Sequence, residues 1–304
     1  MKIISLLPGA TETLCLLGLA DQLVGISHAC DFPADIQHLP RITSPNIQLG
    51  SSSQIDEQVS AASKAGTSLY ELDVQTIRML NPDLIVTQDL CNVCAVSPAD
   101  LSSVAAELES APEILSLDAD TLETVFKDIL LLGQATKTAR QAEHLTQSLT
   151  ERLQTVKDRA NSVPERPSTV LLEWLEPPYT AGHWTPTLIE IAGGHDLLGH
   201  ANQKSQTISW ETLYKSQPEK LMIACCGYSL PQMESEIRSD AIRAKLHPLS
   251  CVRGNELYLI DGAAYLNRPG PRLVEAAEIL LSILHPEIDN PKLPKAGWSK
   301  FTLT

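Results

Sequence analysis

With 304 residues, 43% of them apolar, the chain has material for two lobes of about 120–150 residues each. The 37 acidic residues outnumber 23 basic ones, a net −14 that excludes the concentrated positive face of a nucleic-acid or anionic-membrane binder. The 7 cysteines are too few and irregular for a disulfide scaffold, and the odd count leaves a thiol free, which fits a reducing compartment.

The first residues imitate an export signal: Lys2 precedes an apolar run through Leu7, and a second run covers residues 14–20. Pro8, Gly9, Thr11 and Glu12 interrupt them, so the pattern predicts a buried strand over 3–7 entering a helix capped near Thr11. No stretch reaches the roughly 18 apolar residues that cross a bilayer. As written, the chain is expected to be cytoplasmic, and periplasmic if an upstream export signal is missing. Further strands are predicted over 23–27, 84–88 and 114–117, with helices over 12–19, 56–65, 74–80 and 98–110. Strands alternating with helices predict a largely parallel α/β sheet.

Residues 121–160 carry no Pro and one Gly, and Leu122, Val125, Ile129, Leu132, Leu145, Leu149, Leu153 and Val156 recur at intervals of three or four over most of the segment. A single helix of this length would span roughly 50–60 Å, either as a strut across two lobes or as a coiled-coil segment. The strand and helix pattern then repeats, with strands predicted over 169–173, 221–224 and 257–260 and helices over 186–192, 231–238 and 272–283. ETLYKSQPEKLMIACCG matches QTIRMLNPDLIVTQDLC in order: short helix, Pro-containing turn, apolar strand, cysteine. Duplication of one α/β unit explains the match. The expected organisation is a first lobe over 1–120, a connecting helix over 121–160, a second lobe over 168–285 and a tail over 286–304.

Ligands of open α/β sheets bind at the carboxyl ends of strands. Pro8, Gly9, Ala10 and Thr11 open a helix there, either as a ligand wall offering free N–H groups or as a capped structural turn. Cys91 and Cys94 have a two-residue spacing compatible with metal ligation, a redox pair or plain structure. Cys225 and Cys226 complete a four-thiol set only if the lobes face one another, with His183 as a supplement. Trp174, Tyr179, His183 and Trp184 crowd a Pro- and Gly-rich stretch and suit a flat, partly apolar ligand, with core filling as the alternative. Tyr265 and Arg268 flank a Pro-Gly-Pro turn, either as a binding rim or as an ordered loop with an arginine paired to acid. No GxGxxG, GxSxG or HExxH motif is present, so no nucleotide or hydrolase chemistry is supported and no catalytic cofactor is expected.

SLLPGATETLCLLGL, VGISHACDFP, YELDVQTIRMLNPDLIVTQ, AGHWTPTLIEIAGG, ISWETLYKSQPEKLMIACCG and NRPGPRLVEAAE together resemble the vitamin B12-binding and iron-siderophore-binding class of solute-binding proteins. The similarity runs through roughly residues 2–285 and is nearest the cobalamin-binding branch. It implies a class III periplasmic-binding-protein-like fold, two Rossmann-like α/β lobes with central sheets joined by a long rigid helix. It further implies that cobalamin or a related corrinoid or metal chelate is held in the cleft, without catalysis, and passed to the membrane subunit of an ABC importer. Tyr70 matches a first-lobe aromatic position facing the corrin ring, with Trp174 and Trp184 as second-lobe partners. Glu211 matches an acidic residue that docks on importer arginines, while Gln75 stands at the corresponding first-lobe position. A monomer without membrane insertion is expected. The competing expectation is a cytoplasmic cysteine-dependent metal-binding or redox enzyme.

Overall fold

A computed structural model describes residues 1–88, 98–106, 108 and 110–303. The first lobe runs β1 (Ile3–Ser5), α1 (Pro8–Leu16), β2 (Leu23–Ile26), β3 (Thr43–Pro45), α2 (Ser52–Ala65), β4 (Tyr70–Leu72), α3 (Val74–Leu80), β5 (Leu84–Thr87), α4 (Pro98–Ala105) and β6 (Glu113–Ser116). Its main sheet is parallel, in the order β2-β1-β5-β6, and β3 pairs antiparallel with β4 in a separate ribbon. Ile3, Ile4, Leu84, Ile85 and Val86 are fully buried because helices cover both faces of the sheet.

The connecting segment is two helices, α5 (Leu122–Ala135) and α6 (Ala139–Ala160). They fold back on one another at Lys137, whose φ is 60°, so the single 50–60 Å strut is corrected to a helical hairpin. The 22 residues of α6 reach only about 33 Å. Two features make the turn without proline. Thr136 Oγ1 donates to Leu132 O at 2.7 Å and bonds Thr138 Oγ1 at 2.8 Å, closing the helix end. Gly133 then lies against Ala142, where a side chain would collide.

The second lobe runs β7 (Ser168–Leu175), β8 (Pro178–Thr180), α7 (Thr185–Ile191), β9 (His195–Asp196), α8 (Trp210–Ser216), β10 (Lys220–Ile223), α9 (Leu230–Arg238), α10 (Asp240–Leu246), α11 (Ser250–Arg253), β11 (Leu257–Ile260), α12 (Leu273–Leu284) and β12 (Trp298–Lys300). Its mixed sheet has the order β12-β11-β10-β7-β8, with β9 also beside β7. The tail is part of this lobe, since β12 pairs antiparallel with β11 and Phe301 is buried in the adjoining core.

One apolar core is continuous from α1 through α5 and α6 to α7 and α12. Arg152 adds a two-pronged bond from α6 to the buried Glu278 of α12, at 3.0 and 2.8 Å. The helical hairpin thus braces both lobes, and further cores cover the outer face of each sheet. The repeated unit is also visible: α3 and α8 each have seven residues, each ends on a left-handed residue at φ 47° (Asn81 and Gln217), and each is followed by proline and a parallel strand.

Candidate functional site

Segments following the carboxyl ends of strands in both lobes meet in two places. The first is a charged seam. Arg268 is 8% exposed and donates to Asp31 at 2.6 and 3.1 Å, to Glu12 at 3.3 Å and to Ala29 O at 3.2 Å. Arg272 lies 3.6 Å from the same Glu12 oxygen, and its guanidinium sits between the rings of Phe32 and Tyr265 at 4.5 and 4.6 Å. Burial pushes the Glu12 carboxyl up to about 7, against the pull of Arg272 and Arg268. Burial opposes the Arg268 charge, yet Asp31 overcomes it and holds that guanidinium ionised.

Backbone completes the seam. The Cα of Gly9 lies 2.8 Å from where a Gly270 side chain would begin, and a methyl on Gly9 would overlap the Pro269 carbonyl. The first turn of α1 is therefore covered by the Pro269–Gly270 backbone of the second lobe. Ala10 and Thr11 are buried, and Thr11 Oγ1 bonds Ser5 Oγ at 2.8 Å and Leu7 O at 3.0 Å. The ligand-wall expectation for Pro8, Gly9, Ala10 and Thr11 yields to a packing role.

The second meeting place joins α2 to the aromatic part of the second lobe. Ser52 donates from N and Oγ to Glu236 Oε1 at 3.0 and 2.6 Å. Trp174 Nε1 donates to Ser52 O at 3.1 Å, Tyr179 to Asp56 Oδ1 at 2.9 Å, and Tyr228 to Gly50 O at 3.3 Å. Trp174 and Tyr228 meet edge to face at 5.2 Å. Trp174 and Tyr179 are half-buried, whereas Trp184 is 5% exposed and gives its indole N–H to Leu266 O at 2.8 Å. Trp184 is a core residue, because the turn at His183 directs it inward beside α12.

Each lobe also holds a half-buried histidine, His28 in the first and His183 in the second. His28 stacks on Tyr70 at 5.3 Å, and its Nδ1 lies 2.7 Å from Thr43 Oγ1. Burial, with Arg41 nearby, lowers its pKa, so the imidazole stays neutral near pH 7. His183 has φ 51°, is pinned by its N–H to Gln203 O at 2.6 Å, and has a buried Nδ1 with no hydrogen-bond partner among the described residues. Burial lowers its pKa too, against the charge of Asp120 in the β6–α5 connection. Glu173 fixes the supporting loop by accepting from Gly182 N at 3.1 Å and from Ser205 Oγ.

The remaining candidates separate. Tyr265 is 4% exposed, bonded to Ala296 O at 3.2 Å, so it braces the seam and the tail instead of a ligand rim. Arg268 likewise takes the paired-arginine alternative. Cys225 is fully buried, burial pushing its thiol well up, while Cys226 is exposed on the following turn. Cys91 and Cys94 lie outside the described residues, and among those described no group of three His, Cys, Asp or Glu could hold a metal. Gln75 and Glu211 are both exposed and occupy the second position of α3 and α8, the same place in the repeated unit; Glu211 pairs with Lys215 at 2.8 Å. Depressions of about 370 Å³ beside Lys220 and His285 and about 350 Å³ beside Leu197 and Lys215 lie away from the interlobe face.

Sequence reasoning passed over Glu12, Asp31, Ser52, Asp56, Tyr228 and Glu236. The Ser51–Gln54 capping box was a legible sign that α2 begins four residues before the predicted 56, but nothing local told which lobe it would cover.

Residues 3–262 match the family model described as periplasmic binding protein. A vitamin B12-binding protein of Vibrio cholerae is 23% identical over 285 residues, covering 93% of this chain and 88% of the relative. Among solved structures, a periplasmic heme-binding protein from Pseudomonas aeruginosa superposes with a TM-score of 0.75 at 18% identity, covering 99% of this chain and 98% of that one. The periplasmic vitamin B12-binding protein of Vibrio cholerae gives a TM-score of 0.66 at 22% identity, covering 93% and 96%. The two-lobed fold, the bracing helices and the family match over most of the length lead to one conclusion: the chain belongs to the periplasmic binding protein family, as a non-catalytic solute binder of class III architecture.

Proposed function

We propose that the chain binds cobalamin or a related corrinoid or metal-chelate ligand between its lobes and releases it unchanged to the membrane subunit of an ABC importer. What supports this reading is that each lobe contributes a pair of rings in contact, His28 with Tyr70 in the first and Trp174 with Tyr228 in the second. Flat, partly apolar ligands take their affinity from such faces, and a few polar groups orient them. The relative named as a vitamin B12-binding protein supports the corrinoid.

Heme is the second reading, favoured by the heme-binding structure that spans 99% of this chain and by two imidazoles whose pKa values burial lowers. A neutral imidazole is the form that ligates iron. Titration of the purified chain with cyanocobalamin and with hemin, followed by calorimetry and absorbance, separates the two. Saturable one-to-one binding of cyanocobalamin, recovered unchanged on denaturation, supports the first reading, and a shifted Soret band with hemin alone supports the second. Failure of both to bind removes the proposal.

Exposed Glu211 and Gln75, at equivalent positions of the repeat, are the proposed docking points for the importer, charge steering being weaker on the Gln75 side. Family membership supports an extracytoplasmic setting over the cytoplasmic one read from the first residues. Domain limits at 120, 160 and 286 remain part of the proposal, with the tail assigned to the second lobe.

A further inference from the structure

Residues 46–69 leave the first lobe on the β3–β4 ribbon, where Asn46 N donates to Leu69 O at 2.7 Å and Pro45 pairs with Tyr70. The segment is closed on itself: Gln58 accepts from Gln48 N at 2.8 Å and donates to Gln48 O at 3.1 Å. At its far end Gly66 ends α2 at φ 65°, with open space around it. A two-stranded stem, a self-tied helix and a glycine exit describe a piece that can swing as a unit.

Its packing belongs to the other lobe. Of the 14 residues of α2 only Ser52 is buried, and neither core that includes first-lobe sheet residues takes a side chain from this helix. Ile55 packs against the second-lobe core instead, beside Trp174 and Tyr228. Each polar tie already described, from Ser52, Asp56 and Gly50 to Glu236, Trp174, Tyr179 and Tyr228, also crosses between lobes. The helix therefore covers the same aromatic face that a flat ligand would use.

We propose that residues 46–69 are a flap closed over Trp174, Tyr179 and Tyr228, and that ligand gains this face by displacing the flap while the charged seam keeps the lobes in place. The proposal deepens the ligand reading above and rests on it. Ligand and flap then compete, so a chain whose flap is already free binds more tightly, because the closed population no longer lowers the apparent affinity.

The test compares the wild type with an Asp56→Ala/Glu236→Ala variant, by hydrogen exchange of residues 46–69 and by calorimetry with cyanocobalamin and hemin. In the wild type, added ligand should speed exchange in the flap. In the variant the flap should exchange fast without ligand, the seam peptides should keep their protection, and binding should tighten by about tenfold. Slower flap exchange on ligand addition, or a variant that binds no more tightly, overturns the proposal. Should neither ligand bind either protein, fast exchange in the variant's flap retains the detachable unit and removes only the ligand reading, whereas unchanged exchange removes both. Tyr179→Phe, which deletes one cross-lobe bond and keeps the ring, guards against misfolding of the double variant and should give an intermediate exchange rate.

Discussion

The two interlobe contacts are built from different chemistry. In the seam, Arg268 and Glu12 are 8% and 2% exposed, and the lobes touch through glycine backbone. In the flap, Trp174, Tyr179 and Tyr228 each make one hydrogen bond, the first two from half-buried side chains and the third from a buried one, and Ser52 adds two to Glu236. A buried charge that loses its partner is costly, typically about 3–5 kcal/mol, whereas an ordinary hydrogen bond contributes about 1 kcal/mol net. The seam can therefore act as a fixed joint while the flap opens bond by bond. On the proposed reading, this division lets a ligand enter without separating lobes that share one core.

The largest effect should come from Arg268→Ala, which leaves Glu12 facing Arg272 alone and Asp31 without its two-pronged partner. Asp31 is more than half exposed and regains water, so a loss of about 3 kcal/mol is expected in urea denaturation. A loss below about 1 kcal/mol would reduce the seam to the strength of the flap.

Glu12 sharpens the contrast through pH. Its folded carboxyl is raised to about 7 from an unfolded value of 4.5, so the fold binds this proton more tightly than the unfolded chain. The stability it contributes is complete below 4.5 and is lost as pH rises through 7, about 3 kcal/mol in all. Glu12→Gln should abolish that part of the pH dependence, matching the wild type near pH 4.5 and exceeding it at pH 8. Parallel stability curves for the two proteins would show that Glu12 does not titrate within the seam.

Gly9→Ala is the smallest of the three. In an exposed helix interior this change stabilises by about 1 kcal/mol. Here the added methyl meets the Pro269 carbonyl, so a destabilisation of about 2 kcal/mol is expected in the same denaturation assay. A stabilised variant would mean that the lobes do not touch at this point.

The sheet strands were legible from sequence because apolar runs bounded by turn residues have few alternatives: expectations at 3–7, 23–27, 84–88 and 114–117 correspond to Ile3–Ser5, Leu23–Ile26, Leu84–Thr87 and Glu113–Ser116. The break at Lys137 was not legible, since no proline marks it and Gly133 serves helix contact instead of helix termination. Trp184 shows the limit for the site. Its aromatic, Pro-rich surroundings suit a ligand face and a core equally, and only the inward turn at His183 decides between them. The flap was hidden for a related reason: the stripe on α2 announces a helix, while its partner surface is more than a hundred residues away.

Hydrogen exchange of the unliganded wild type, read peptide by peptide, tests the division of labour most directly. Residues 8–12 and 268–274 should exchange at the rate of global unfolding, while residues 46–66 exchange orders of magnitude faster through local release. Equal protection in the two regions, or a seam that opens first, would contradict the account of a fixed joint and a movable flap.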